Sequence, residues 1–168
     1  DWPAPIDLLK KNPKYGIDPL FLNSQRISHY SITSVLPVSN HDGFSTIATD
    51  INGNGYHLSV EKSQLIFDYK KSITCGISIP GTDSGLFITP EKIIEINWNP
   101  LNIISLPFVI EQPQKSIHSL INNHCFMTIG EDSEVTFYDR RQSQIIHKIQ
   151  CNDLNLNCAC VWPNLETV

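Results

Sequence analysis

The chain is short of basic clusters: its 12 lysines and arginines are scattered, apart from pairs such as Lys10-Lys11, Lys70-Lys71 and Arg140-Arg141. A surface that tracks phosphates needs such residues gathered on one face. With a net charge of −5 as well, nucleic acid is not expected as a direct partner. Long apolar runs are also missing. The strongest stretches fall well short of the ~20 residues of a membrane helix, and Pro107 and Pro113 bracket one of them, so a soluble domain away from the membrane is expected. No block of like charge and no low-complexity tract signals disorder. With 168 residues, 40% of them hydrophobic, the chain is large enough for one domain with a real core.

Three further absences bear on compartment and chemistry. The opening DWPAPIDLLKK lacks the charged, apolar and small-residue succession of a signal peptide. No Asn-x-Ser/Thr acceptor is present, and the five cysteines are an odd number without framework spacing. These features predict an intracellular protein of the cytoplasm or nucleus. No phosphate-cradling glycine loop and no nucleotide fingerprint exists, so no cofactor is expected.

What the chain does contain is a repeat. Ile47, Ile88 and Ile129 recur at a spacing of 41 residues, in the segments FSTIATDINGNGYHLSVE, LFITPEKIIEINWNP and FMTIGEDSEVTFYDRR. In each, a short apolar run meets polar turn residues and then an alternating run, as the two strands of a hairpin do. The alternation sets Val135 and Phe137 against Thr136 and Tyr138. It sets Ile94, Ile96 and Trp98, read as inward, against Ile93, Glu95 and Asn97. In the first unit Tyr56, Leu58 and Val60 oppose His57, Ser59 and Glu61. A strand-like segment precedes each hairpin (ITSVLPV, GISIP, IHSLI) and another follows it (QLIFDY, LNIISLPFVI, QIIHKI). Four short strands in about 41 residues make one blade of a β-propeller.

The stretch from Thr128 to Ile149 resembles the back half of a WD40 repeat, with Gly-Glu-Asp at the turn and Tyr138-Asp139 in place of the Trp-Asp pair. The resemblance extends over roughly residues 28–165 and is weakest in the second unit. No unit carries the Gly-His pair, and Trp98 stands where Asp139 stands in the third unit, so these are degenerate blades. It implies an all-β propeller segment of four-stranded antiparallel blades. Residues 1–27 form an N-terminal extension with a possible outer strand, 28–72 the first blade, 73–113 the second and 114–152 the third. Residues 153–168, including CACVWP, would open a further blade. Propellers of this type close with more blades, because a complete ring removes exposed sheet edges. The chain is therefore a fragment of a larger propeller, a part completed by a partner, or a self-closed four-bladed ring.

Several residues suggest chemistry. Asp50, Asn52, Asn54 and Glu61 fit the calcium-loop pattern D-x-N-x-N-G-x5-E, in which oxygens at alternate positions wrap the ion. Against this, the flanks are β-rich and not helical, Leu58 occupies the ninth position, and Asn-Gly is also a preferred hairpin turn. Cys151, Cys158 and Cys160 with His147 offer zinc ligands at no common spacing, and alternate cysteines on a strand serve as small core residues. His124 and Cys125 are adjacent on a strand and so point to opposite faces. Gly81-Thr82-Asp83-Ser84-Gly85 resembles, with one extra residue, the surround of a serine-protease nucleophile, but equally reads as a strand connection. Trp2 and Trp162 are candidate protein-binding aromatics or covers for a blade edge.

The resulting expectation is a non-catalytic scaffold that presents loops and blade edges to other protein subunits in a multiprotein complex, one of which completes the propeller. Two alternatives come from other classes: a calcium-dependent extracellular adhesion or lectin-like propeller built on the Asp50 loop, and a β-barrel serine hydrolase using Ser84.

Overall fold

The computed structural model describes residues 27–40, 43–59, 63–120, 124–151 and 156. The expectations placed on Trp2, Glu61, Cys158, Cys160 and Trp162, and on most of 1–27 and 153–168, lie outside the described residues. Those that are described form twelve strands in three four-stranded antiparallel sheets. Sheet 1 holds β1 (Ile32–Asn40), β2 (Gly43–Asp50), β3 (Asn54–Leu58) and β4 (Ser63–Asp68). Sheet 2 holds β5 (Cys75–Ser78), β6 (Ser84–Ile88), β7 (Ile93–Trp98) and β8 (Leu101–Ser105). Sheet 3 holds β9 (Gln114–Ser119), β10 (Cys125–Gly130), β11 (Glu134–Asp139) and β12 (Gln144–Gln150). In every sheet the strands pair in chain order, each joined to the next by a short connection.

The three sheets meet through their first strands: β1 lies against β5, and β5 against β9. Four-stranded sheets arranged side by side about their first strands are the geometry of a propeller segment, although the described residues do not close a ring. Among them no helix is long and apolar enough to cross a membrane. The repeated isoleucines take equivalent places on the second strands. Ile47, Ile88 and Ile129 pair with His57, Ile93 and Val135 on the third strands, and each isoleucine is buried.

Two apolar layers hold the stack. Between sheets 1 and 2 lie Leu36, Val38, Ile47, Phe67, Phe87, Ile94 and Ile96, with Ile73 of the connecting segment. Between sheets 2 and 3 lie Leu86, Ile88, Ile93, Ile117, Phe126 and Tyr138, with Phe108 supplied by the segment after β8. Sheet 2 is thus covered on both faces. Alternation along a strand then decides which layer a residue joins, not whether it is buried. Ile93, read as outward from the sequence, is fully buried because sheet 3 covers its face. Glu95, on the same face, is met by Arg140 from the end of β11 at 2.9 Å, an ion pair that bridges two sheets. In sheet 3 the residues facing sheet 2 are Tyr138 and Thr136, while Val135 and Phe137 are half-buried on the opposite side. Tyr138 stacks on Phe126 at 4.8 Å, and Phe108 approaches it edge-on.

Within a sheet, large rings lie over glycines of the same or the neighbouring strand, as Phe67 of β4 lies over its β3 partner Gly55. A Cβ added at Gly55 would sit 2.1 Å from the ring of Phe67, far inside any real contact. The Gly55→Ala variant is expected to lose about 2 kcal/mol, the usual order for forcing extra volume into a packed core. Urea denaturation should show this loss, and it should shrink when Phe67→Leu is added, since the obstructing ring is then gone.

Candidate functional site

The Asp50 turn is the most heavily hydrogen-bonded polar feature described. Asp50 ends β2 with its side chain 0% exposed. Its Oδ1 accepts the backbone N–H groups of Asn52 and Asn54, both at 3.0 Å. Its Oδ2 accepts the Ser28 hydroxyl at 2.8 Å, the Asn54 side-chain amide at 3.0 Å and the Tyr56 hydroxyl at 3.1 Å. Burial pushes the Asp50 carboxyl upward, but the bonds from Asn54, Ser28 and Tyr56 outweigh it and hold it below the ordinary aspartate value. Gly53 completes the turn at φ 86, where a Cβ would meet the Lys71 carbonyl oxygen at 2.1 Å. The local sequence is therefore read by the fold as a locked hairpin turn whose acid gathers neighbouring donors. Asn52 donates only its backbone to this carboxylate, and Asn54 points its side-chain donor at it. The structure brings Asp50, Asn52 and Asn54 together; Glu61 lies outside the described residues.

Asp139 has the related task in sheet 3, its Oδ1 accepting the N–H groups of Arg141 at 2.9 Å and Gln142 at 3.3 Å. Burial raises its carboxyl, but these bonds and the Arg141 charge outweigh that and hold it below the ordinary aspartate value. Asp132 likewise accepts the Glu134 N–H at 3.0 Å. The aspartates of the Gly-Glu-Asp and Tyr-Asp stretches, Asp132 and Asp139, thus order turns.

The remaining sequence candidates are dispersed. Ser84 is buried, and its hydroxyl lies 2.9 Å from that of Thr82. Thr82 also donates to the Ile79 carbonyl at 2.8 Å, so the Gly81–Gly85 segment is a hydrogen-bonded strand connection. His147 is exposed on β12 with its ring 6.4 Å from Phe137, and Cys151 is half-buried beyond the end of that strand. His124 is exposed and Cys125 half-buried at the start of β10. Among the described residues no group of three or more His, Cys, Asp or Glu is placed to hold a metal ion. Burial pushes the Cys75 thiol up to about 11, which keeps it protonated and unreactive at neutral pH.

One feature was not legible as a site. Trp98 ends β7 and packs against the layer between sheets 1 and 2, yet its buried indole N–H has no hydrogen-bond partner. It lines a cleft of about 200 Å³ with Val38, Ile47, His57 and Ile66, one residue from each strand of sheet 1, and with Asp83 and Asn99 of sheet 2's connections. A tryptophan on an alternating strand signals core, and only the packing of one sheet on the next reveals the cleft. Compared with known proteins, the chain matches no protein-family model and no curated protein.

Proposed function

We propose that this chain is a non-catalytic protein-interaction scaffold, a segment of a WD40-like β-propeller that works inside the cell as part of a larger assembly. The observation that carries the reading is the open stack of sheets. Leu36 of β1 faces sheet 2, so the neighbouring Val35 points to the far side, where it is 63% exposed. Among the described residues no further sheet covers that side. Sheet 3 presents half-buried Val135 and Phe137 on its own far side. Such faces and edges are what a ring completed by further blades, or by another subunit, would bury. The dispersal of the polar candidates supports a binding role over a catalytic one, since the Ser84 hydroxyl meets Thr82 and not a histidine.

The test is size-exclusion chromatography with light scattering on the 168-residue chain, with thermal unfolding in calcium and in chelator. A mass above 19.0 kDa that rises with concentration is expected, because open apolar faces associate. The melting temperature should be the same in calcium and in chelator, as the Asp50 oxygens already have internal donors. A monodisperse 19.0 kDa monomer with a sharp, cooperative melt would overturn the open-segment reading. A calcium-dependent rise in melting temperature would favour the adhesion-type alternative instead.

A further inference from the structure

We propose that the cleft between sheets 1 and 2 binds an arginine side chain of an extended partner peptide. This rests on the scaffold reading and names the chemistry of one ligand. The cleft, at about 200 Å³, is smaller than the ~300–1,000 Å³ of pockets for drug-sized molecules and cofactors, and it suits a single side chain. Three features of its wall restrict what that side chain is. The first is apolar: Val38, Ile47 and Ile66 line one side and ask for a hydrocarbon body. The second is aromatic: the indole of Trp98, at the end of β7, lines the cleft and offers a cation a π-face.

The third feature is charge. The Asp83 carboxylate accepts one bond, from the Asn99 side-chain amide at 3.3 Å, and among the described residues no cation pairs with it. Asp83 is fixed in place by its own backbone, since its carbonyl accepts the backbone N–H of Trp98 at 2.9 Å. The carboxylate and the indole therefore stand on one rigid corner of sheet 2. An arginine within a peptide meets all three demands together. Its methylene stem covers the apolar wall, and its guanidinium pairs with the carboxylate and lies against the indole ring. Glutamate would meet like charge, and an aliphatic side chain would leave Asp83 unpaired. The chain's net charge of −5 favours a basic partner in the same sense.

The experiment uses the whole 15N-labelled chain and follows the Trp98 indole N–H signal, assigned by its loss in Trp98→Phe. The probe is acetyl-Gly-Ser-Arg-Ser-Gly-amide, with norleucine and glutamate versions as comparisons. A saturable shift of the Trp98 signal is expected with the arginine peptide, and none with the glutamate peptide. The norleucine peptide and the Asp83→Asn variant should each bind about fivefold more weakly, the scale of a partly exposed charge pair. Asparagine keeps an oxygen for the Asn99 amide, so the variant should fold, which an unchanged melting temperature would verify. Equal binding of norleucine and arginine, undiminished binding by folded Asp83→Asn, or no saturable shift at millimolar peptide would each overturn the proposal. None of these failures alters the light-scattering mass, so the scaffold reading is judged separately.

Discussion

Replacing Phe87 with alanine is expected to lower the unfolding free energy by about 4 kcal/mol, the middle of the range for deleting a buried aromatic ring. Phe87, the next-to-last residue of β6, is fully buried between sheet 2 and sheet 1. Its ring meets Phe67 of sheet 1 edge-on, with centroids 6.1 Å apart and planes at 68°. The hole left behind would be hard to fill. Gly76 and Gly85 flank the ring so closely that a Cβ at either would lie 2.4 Å or 3.0 Å from it, and neither has a side chain that can relax into the space. Urea unfolding should show the midpoint falling with the slope unchanged. Phe87→Leu, which keeps most of the volume, should lose less than half as much. A Phe67→Ala partner variant should reveal a coupling of about 1 kcal/mol between the rings. A Phe87→Ala loss below ~2 kcal/mol would mean that the layer between sheets 1 and 2 repacks, and that this interface is not rigid.

That layer also explains which parts of the fold were legible in the sequence. The spacing of Ile47, Ile88 and Ile129 exposed the repeat because each sheet buries the same place on its second strand. Strand alternation was equally legible, since successive side chains alternate between faces whatever lies beyond them. What lies beyond them was not. Ile93 looked outward because alternation distinguishes two faces without saying that both are covered, and sheet 3 supplies the cover from more than twenty residues away. The same blindness applied to the Trp98 cleft, whose other wall comes from Val38, Ile47, His57 and Ile66. For the Asp50 turn, the motif held the two local donors, Asn52 and Asn54. Ser28 lies well before it, and Tyr56 carried no sign that its hydroxyl would turn back toward the acid. A pattern of oxygens along a sequence does not reveal whether those groups face an ion or one another.

Asp50 therefore gives the second large effect. Removing its side chain in Asp50→Ala leaves the Asn52 and Asn54 backbone N–H groups and the Asn54 amide without their acceptor. Bonds to a charged acceptor contribute about 1.5–3 kcal/mol each, but Asn52 is exposed and water can replace part of what it loses. A net loss of about 3 kcal/mol is expected, or roughly 6–12 °C in melting temperature for a chain of this size. Asp50→Asn keeps one acceptor and turns an amide donor toward the other donors, so it should lose about half as much. The pH dependence separates a charged hub from a merely well-packed one. The folded-state carboxyl titrates below its unfolded value, so its contribution is fully present above the unfolded pKa of ~3.9 and disappears as pH falls through the lower folded value. The gap in stability between the native chain and Asp50→Ala should thus stay constant from pH 7 to about 5 and narrow below about 4. A gap that persists undiminished to pH 2 would show that the side chain acts through its shape alone. A gap that narrows would show that the negative charge is what holds Ser28, Asn54 and Tyr56 around the end of β2.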